Sequence, residues 1–163
     1  VEDMASASIG QSVVLVTPLQ LARAYAVFAN GGYLITPHLV DNNRNWRSKK
    51  YLHKVDIQEK TLNTIRRGLR KVVTSGSGMK INLDPSTLPP VAGKTGTAED
   101  SSGGVDHAWF ACFAPYNQGE IVIVAFAQNT PGGGSVHALP MARAMLKTWH
   151  ELEWNDTLVS GKD

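Results

Sequence analysis

The densest chemistry in this sequence lies in Lys94, Thr95, Gly96 and Thr97. An ammonium with three donors and two hydroxyls within four positions can gather around one carboxylate. A glycine among them lets a second backbone come close. A Lys-[Ser/Thr]-Gly triplet alone carries little weight, because roughly one chain in ten of this length holds it by chance. Its setting adds weight: Val91 to Ala98 reads as a strand, where glycine is unfavourable unless close approach requires it. In a flat strand Lys94 and Gly96 point to one side and Thr95 and Thr97 to the other. Twist and an edge position must then bring ammonium and hydroxyls together. An exposed edge strand with a solubilising lysine accounts for the same residues, and both readings stand at this point.

Other candidates are weaker. Ser77 and Lys80 form an S-x-x-K, a pattern that works when the two residues lie one helical turn apart and the lysine acts on the hydroxyl. Gly76 and Gly78 flank this serine and disfavour helix, so the match reads as chance. The five histidines include no pair at helical i,i+4 spacing and no H-E-x-x-H, which argues against a zinc hydrolase. His107 reads as a satisfied structural histidine. There is no G-x-S-x-G, phosphate loop or dinucleotide fingerprint, and Gly132–Gly134 reads as a hinge. Arg66, Arg67, Arg70 and Lys71 read as a solvated helix face rather than an anion site. No metal and no cofactor are expected.

These residues need elements to hold them. Thr17 is a natural N-cap with Pro18 at the first helical position. Leu21, Tyr25 and Phe28 mark one helical face, and Asn30-Gly31-Gly32 is a stop. Tyr33 to Val40 contains Pro37 and is an edge piece at best. Residues 41–55 read as a surface connection. A second helix starts at Asp56, carries Leu62, Ile65, Leu69, Val72 and Val73, and stops at Gly76. Residues 75–90 are rich in Gly, Ser and Pro and read as loop. Three extended runs follow, at 91–98, 105–114 and 120–128, joined by hairpin-length connections. The last helix runs from about Ala138 to Leu152, with Pro140 in its first turn, and residues 153–163 read as a loosely held polar tail. Ile121 to Ala127 is apolar on both faces and therefore needs cover on both sides. Leu139, Ala142, Met145, Leu146 and Trp149 can cover one face. The other is expected to lie largely bare, as in a piece of a larger domain that is insoluble by itself.

Composition sets the bounds. The 163 residues are 42% hydrophobic and 18% charged, with 16 basic against 14 acidic residues and a net charge of +2. That suits a folded body of about one domain and is too weakly basic to point to nucleic acid. The single cysteine, Cys112, excludes an internal disulfide and reads as a small buried hydrophobe. Apolar runs such as Ile121 to Ala127 fall far short of the ~18 residues that span a bilayer. No signal peptide is visible at the start, so either the protein is cytosolic or its targeting segment lies outside these residues.

Five segments occur in one order: Ile9-Gly-Gln-Ser, Val16-Thr-Pro-Leu-Gln-Leu-Ala, Val91-Ala-Gly-Lys-Thr-Gly-Thr-Ala-Glu, His107-Ala-Trp-Phe-Ala-Cys-Phe-Ala-Pro and Gly132-Gly-Gly-Ser. This order resembles the C-terminal half of the transpeptidase domain of class B penicillin-binding proteins, most closely the elongation type, penicillin-binding protein 2. The resemblance covers about residues 5–150. It implies an α+β fold of the penicillin-binding and serine β-lactamase kind, an antiparallel sheet flanked by helices. Three of its strands fall in this chain. Residues 1–152 would form the C-terminal part of a single transpeptidase domain.

It further implies a serine D,D-transpeptidase that cross-links peptidoglycan stem peptides and is acylated by penicillins. Such enzymes carry S-x-x-K, S-x-N and K-[ST]-G, and only the third maps here, onto Lys94, Thr95 and Gly96. The nucleophile and its base are therefore expected on an N-terminal portion outside these residues, with the membrane anchor, and this chain alone is expected to be inactive. Lys94, Thr95, Gly96 and Thr97 would bind substrate, with Lys94 and Thr97 contributing to catalysis. Stem peptides, β-lactams, the rest of the domain and a membrane glycosyltransferase of the elongation machinery are the implied partners. Nucleic acid is not among them. The implied location is the inner membrane, with the catalytic domain in the periplasm. A penicillin sensor or a serine β-lactamase of the same fold is the alternative, and a small interaction domain with K-T-G by chance is a further one.

Overall fold

The computed structural model describes residues 2–11, 14–39, 51–82, 88–99 and 104–160. Most of the connection read at 41–55, the middle of the loop at 75–90 and the first hairpin connection lie outside the described residues. So do the last three residues of the tail.

A short helix, α1 (Glu2–Ser8), precedes α2 (Pro18–Ala29). Thr17 caps α2 as its type suggests. Its hydroxyl accepts from the Gln20 N–H at 3.2 Å, and Gln20 Oε1 accepts from the Thr17 N–H at 2.8 Å. This reciprocal pair satisfies two otherwise orphaned donors. Gly31 and Gly32 end the helix with φ of 82° and 101°, a region glycine enters without penalty. The chain then forms β1 (Tyr33–Ile35), which pairs antiparallel with β2 (Leu52–Lys54). The sequence suggests only connection at β2, because Leu-His-Lys has no alternation long enough to read and the strand exists through its register with β1.

Helix α3 (Glu59–Ser75) begins three residues after Asp56 and stops at Gly76. A 3-10 turn, Met79–Asn82, follows inside what the sequence reads as loop. Its Ile81 is fully buried.

The main sheet is the expected meander, β3 (Ala92–Ala98), β4 (His107–Ala114) and β5 (Ile121–Ala127), in the order β3-β4-β5 with all pairs antiparallel. Its register divides residues between two faces. Ala108, Phe110, Cys112, Ile123 and Ala125 pack with Leu139, Ala142 and Leu146 of α4 (Ala138–Ser160) and with Val73 and Ile81. On the other face Ala92, Ala111 and Phe113 pack with Tyr25 and Ala29 of α2, while Leu21, Phe28, Val122 and Val124 lie partly buried around them.

The expectation that the second face of β5 lies bare is thus overturned: α2, from the start of the chain, covers it. Gly119 at the β4–β5 turn permits this approach, since a Cβ there would stand 2.6 Å from the Ala29 Cβ. The uncovered apolar surface lies elsewhere, in the segment before and into α2. Leu15 is 92% exposed and Leu19 59%. Helix α4 continues to Ser160, past the end at Leu152 that the sequence suggests. Met145 is exposed because it falls off the Leu139, Ala142, Leu146, Trp149 stripe.

Candidate functional site

The register places Lys94 opposite Ala111 and Gly96 opposite Trp109, on the α2 face of the sheet. Thr95 lies opposite Phe110 and Thr97 opposite Ala108, on the α4 face. The flat-strand alternation therefore holds. The four residues meet because β3 pairs only with β4 among the described residues and its other edge faces a cleft of about 930 Å³ lined by Lys94 through Ala98. The Lys94 ammonium curls over this edge to donate to the Thr95 carbonyl at 2.8 Å. Gln11 Nε2 donates to the Thr97 carbonyl at 3.1 Å. Alternate residues of a strand present their N–H and C=O groups to the same side. The N–H groups of Thr95 and Thr97 therefore face the edge on which these two carbonyls are reached.

Much of the rest of the cleft is apolar. Val14, Leu15, Val16 and Leu21 line it, as do Trp109 and Phe126, whose rings are 4.3 Å apart at 44°. His107 sits at the end of the strand, with its Nδ1 accepting from the Asn129 N–H at 3.3 Å and its ring edge-on to Phe126. That is the satisfied structural histidine read from the sequence.

The glycines shape the opposite side. A Cβ on Gly96 would meet the Trp109 Cβ at 3.3 Å, so the strand glycine is tight without being impossible to replace. The closer approach belongs to Gly134, whose Cβ would collide with the Gly96 and Trp109 carbonyls. The turn 132–134 therefore comes close through the missing Cβ of Gly134, while the place a Gly96 Cβ would take meets only Trp109.

Ser77 is where the structure adds most. It lies in a turn, and its Oγ is 2.6 Å from Thr95 Oγ1. Lys80 sits apart from it in the 3-10 turn, so the S-x-x-K is not assembled on one helix, as expected. A serine between two glycines after a helix stop is visible in the sequence, but its partner 18 residues on is not. Gln11 was likewise present in a recognisable segment without a sign of its partner Thr97, 86 residues away.

The Arg66 and Arg70 pair is neither a solvated face nor an anion site. Arg66 donates to the carbonyls of Phe28 (2.9 Å), Tyr116 and Asn117 (3.2 Å), with its guanidinium 5.5 Å from the Phe113 ring centre. Arg70 donates to the Val91 carbonyl at 2.6 Å, at the start of β3. These side chains tie α3 to α2 and to the sheet. Cys112 is fully buried, and desolvation pushes its thiol up to about 12, against a lowering by a backbone hydrogen bond from Ile123.

Comparison with known proteins gives this arrangement a context. Residues 2–147 match the family described as the penicillin binding protein transpeptidase domain. The peptidoglycan D,D-transpeptidase MrdA of Haemophilus influenzae is 34% identical over 166 residues, covering 88% of this chain and 25% of that protein. Among solved structures, PBP2 of Helicobacter pylori in its complex with MreC superposes with a TM-score of 0.78 at 28% identity, covering 94% of this chain and 28% of the other. PBP2 of Pseudomonas aeruginosa in complex with WCK 5153 gives 0.72 at 26% identity, covering 90% and 32%. The chain spans about a quarter of the length of the curated relatives it matches.

Proposed function

The chain belongs to the penicillin-binding protein transpeptidase family, and we propose that it supplies the K-T-G strand of a peptidoglycan D,D-transpeptidase working in cell-wall elongation. The observation that carries this reading is the edge of β3 away from β4, where no further strand pairs among the described residues and an ammonium, two threonine hydroxyls and outward N–H groups line one cleft. A stem peptide ending in D-Ala-D-Ala is an extended chain with a carboxylate at its end. It can add to this edge as a further strand, through main-chain hydrogen bonds. Lys94 supplies positive potential for the carboxylate, and the Thr95 and Thr97 hydroxyls donate to it.

The reaction is acyl transfer. A serine elsewhere in the complete protein attacks the penultimate D-Ala carbonyl, terminal D-Ala leaves, and an amine of a neighbouring stem takes the acyl group. The Thr97 N–H, with the N–H of that serine, forms the oxyanion hole, where one donor is worth about 3 kcal/mol of transition-state stabilisation. Gly96 leaves room for the acylated serine. In this reading the nucleophile, its base and the membrane anchor lie in other parts of the complete protein. The catalytic domain stands in the periplasm. The exposed segment of Val14, Leu15, Val16 and Leu19 is where the rest of the domain packs. Two solved relatives, PBP2 of Helicobacter pylori in complex with MreC and a chain from a structure described as a peptidoglycan synthase complex that coordinates polymerization and crosslinking, support a place beside other cell-wall synthesis proteins.

The test is acylation of the complete protein by a fluorescent penicillin, followed by cross-linking of lipid-linked stem peptides. Stable labelling with cross-linked product is expected. Labelling without product would make the protein a penicillin sensor. Rapid hydrolysis of the acyl-enzyme would make it a β-lactamase.

A further inference from the structure

We propose that Ser77 is a positioning residue for Thr95, fixing the polarity of its hydroxyl so that it donates to the carboxylate of the substrate. The proposal rests on the reading of Lys94 to Thr97 as the carboxylate-binding strand, and adds to it a residue from a different element. The contact is a 2.6 Å bond between two hydroxyls, at the short end of the normal range for such a pair.

Ser77 is held there by its turn. The N–H groups of Gly76 and Gly78 both reach the Val72 carbonyl, at 3.2 and 2.9 Å, and Met79 N–H reaches the Gly76 carbonyl at 3.2 Å. Gly78 is buried against Val72 and Val73, where a Cβ would come within 3.1 Å of the Val73 side chain. The 3-10 turn beyond is anchored by Ile81, which is fully buried. The serine Oγ is thus placed by packing behind it, although the side chain itself is exposed to the cleft.

The consequence follows from counting protons. A threonine hydroxyl has one proton to donate and two lone pairs to receive. A carboxylate can only accept, so Thr95 recognises it only by donating. Thr95 then meets Ser77 through a lone pair, and Ser77 must be the donor in that bond. The order Ser77 O–H to Thr95 Oγ1, and Thr95 O–H to carboxylate, uses each proton once, and each bond polarises the next in the same direction. No proton is transferred. Without Ser77, nothing else bound to Thr95 Oγ1 holds it toward the cleft among the described contacts, and its hydroxyl proton must find its direction when the substrate arrives.

The experiment measures second-order acylation rates of the complete protein with a penicillin bearing its free carboxylate and with the methyl ester of the same penicillin. Wild type is compared with Ser77→Ala, Ser77→Thr and Thr95→Val. Ser77→Ala is expected to slow the acid about tenfold, the effect of one hydrogen bond of ordinary net strength, and to leave the ester within about twofold. Ser77→Thr, which keeps the hydroxyl, is expected to restore the acid rate. An equal fall for acid and ester, no fall, or no recovery with threonine overturns the proposal. Thr95→Val separates the two readings. If it too treats acid and ester alike, the carboxylate-binding assignment of the strand fails. If it discriminates and Ser77→Ala does not, only the role of Ser77 fails. Should Ser77→Ala lower the melting temperature, the ester rate of the same variant is the control, since a general loosening slows acid and ester alike.

Discussion

The backbone of Gly134 lies against that of Gly96: a Cβ on Gly134 would stand 2.9 Å from the Gly96 nitrogen and would collide with the carbonyls of Gly96 and Trp109. The neighbouring Gly133 has φ of 71° and sits against the Thr97 side chain. The glycine turn is therefore a backing plate for the strand that lines the cleft. Gly134→Ala pushes directly on that strand. Overpacking of this kind costs about 1–3 kcal/mol, and the displaced strand presents Thr97 wrongly. The expected outcome is a lower melting temperature together with slowed penicillin acylation. Normal acylation in a folded variant would show that the strand tolerates displacement.

Lys94 is exposed, and its ammonium donates to the carbonyl of the next residue. Its removal should change stability by no more than about 0.5 kcal/mol, as at other surface positions. Acylation of the complete protein should fall roughly 100-fold, on the scale of losing one preorganised electrostatic contact. A Lys94→Ala protein acylating at the wild-type rate would remove the ammonium from the site.

How far the sequence could be read depended on how local each signal was. Thr17-Pro18, the glycine stops and the three-strand meander are written within a few residues, and all three are found. The strand β2 and the Ser77–Thr95 and Gln11–Thr97 bonds depend on partners 17 to 86 residues away, and no local pattern announces them. The cover of β5 shows the same limit. The apolar stripe of Leu21, Tyr25 and Phe28 was legible, but not that it would lie across a strand a hundred residues later. Arg66 and Arg70 were misread because a cluster of guanidinium groups on a helix looks solvated until the carbonyl ends of neighbouring elements are in place.

Ser77 should not be the acylated serine. Its hydroxyl is bound to Thr95, and Lys80 stands in a separate 3-10 turn. Mass spectrometry of the penicillin-labelled complete protein should find the adduct on another serine, and Ser77→Ala should still reach full labelling, only more slowly. An adduct on Ser77 would place the nucleophile in this chain.

Arg66 gathers the carbonyls of Phe28, Tyr116 and Asn117, the end of α2 and the β4–β5 turn. Arg66→Ala leaves these acceptors without their charged donor in a half-buried place, at a cost of about 2 kcal/mol. Lysine has no planar fork to serve several carbonyls at once, so Arg66→Lys should recover little of it. Denaturant titration of the two variants measures this. Full recovery with lysine would mean that charge, not geometry, is what the site uses.

Cys112 gives a pH signature with a fixed sign. Its thiol titrates near 9.0 when free and about 12 when buried in the sheet. Below pH 9 the thiol is neutral in both folded and unfolded chains and adds no pH dependence. Between about 9 and 12 the unfolded chain loses the proton and the folded chain keeps it. The unfolded state then binds fewer protons, so stability falls as pH rises. Tyr25 is also raised, mainly by burial, with a smaller push from Cys112 that the alanine removes. The difference between these two proteins therefore carries the thiol together with its coupling to Tyr25. Above pH 9 the stability of the wild type should fall more steeply than that of Cys112→Ala, by up to about 1.4 kcal/mol per pH unit. The folded thiol should also resist a disulfide reagent at pH 8 and react only on unfolding, since the thiolate is the nucleophile. Parallel stability curves, or prompt reaction in the folded protein, would show that the sheet opens at Cys112.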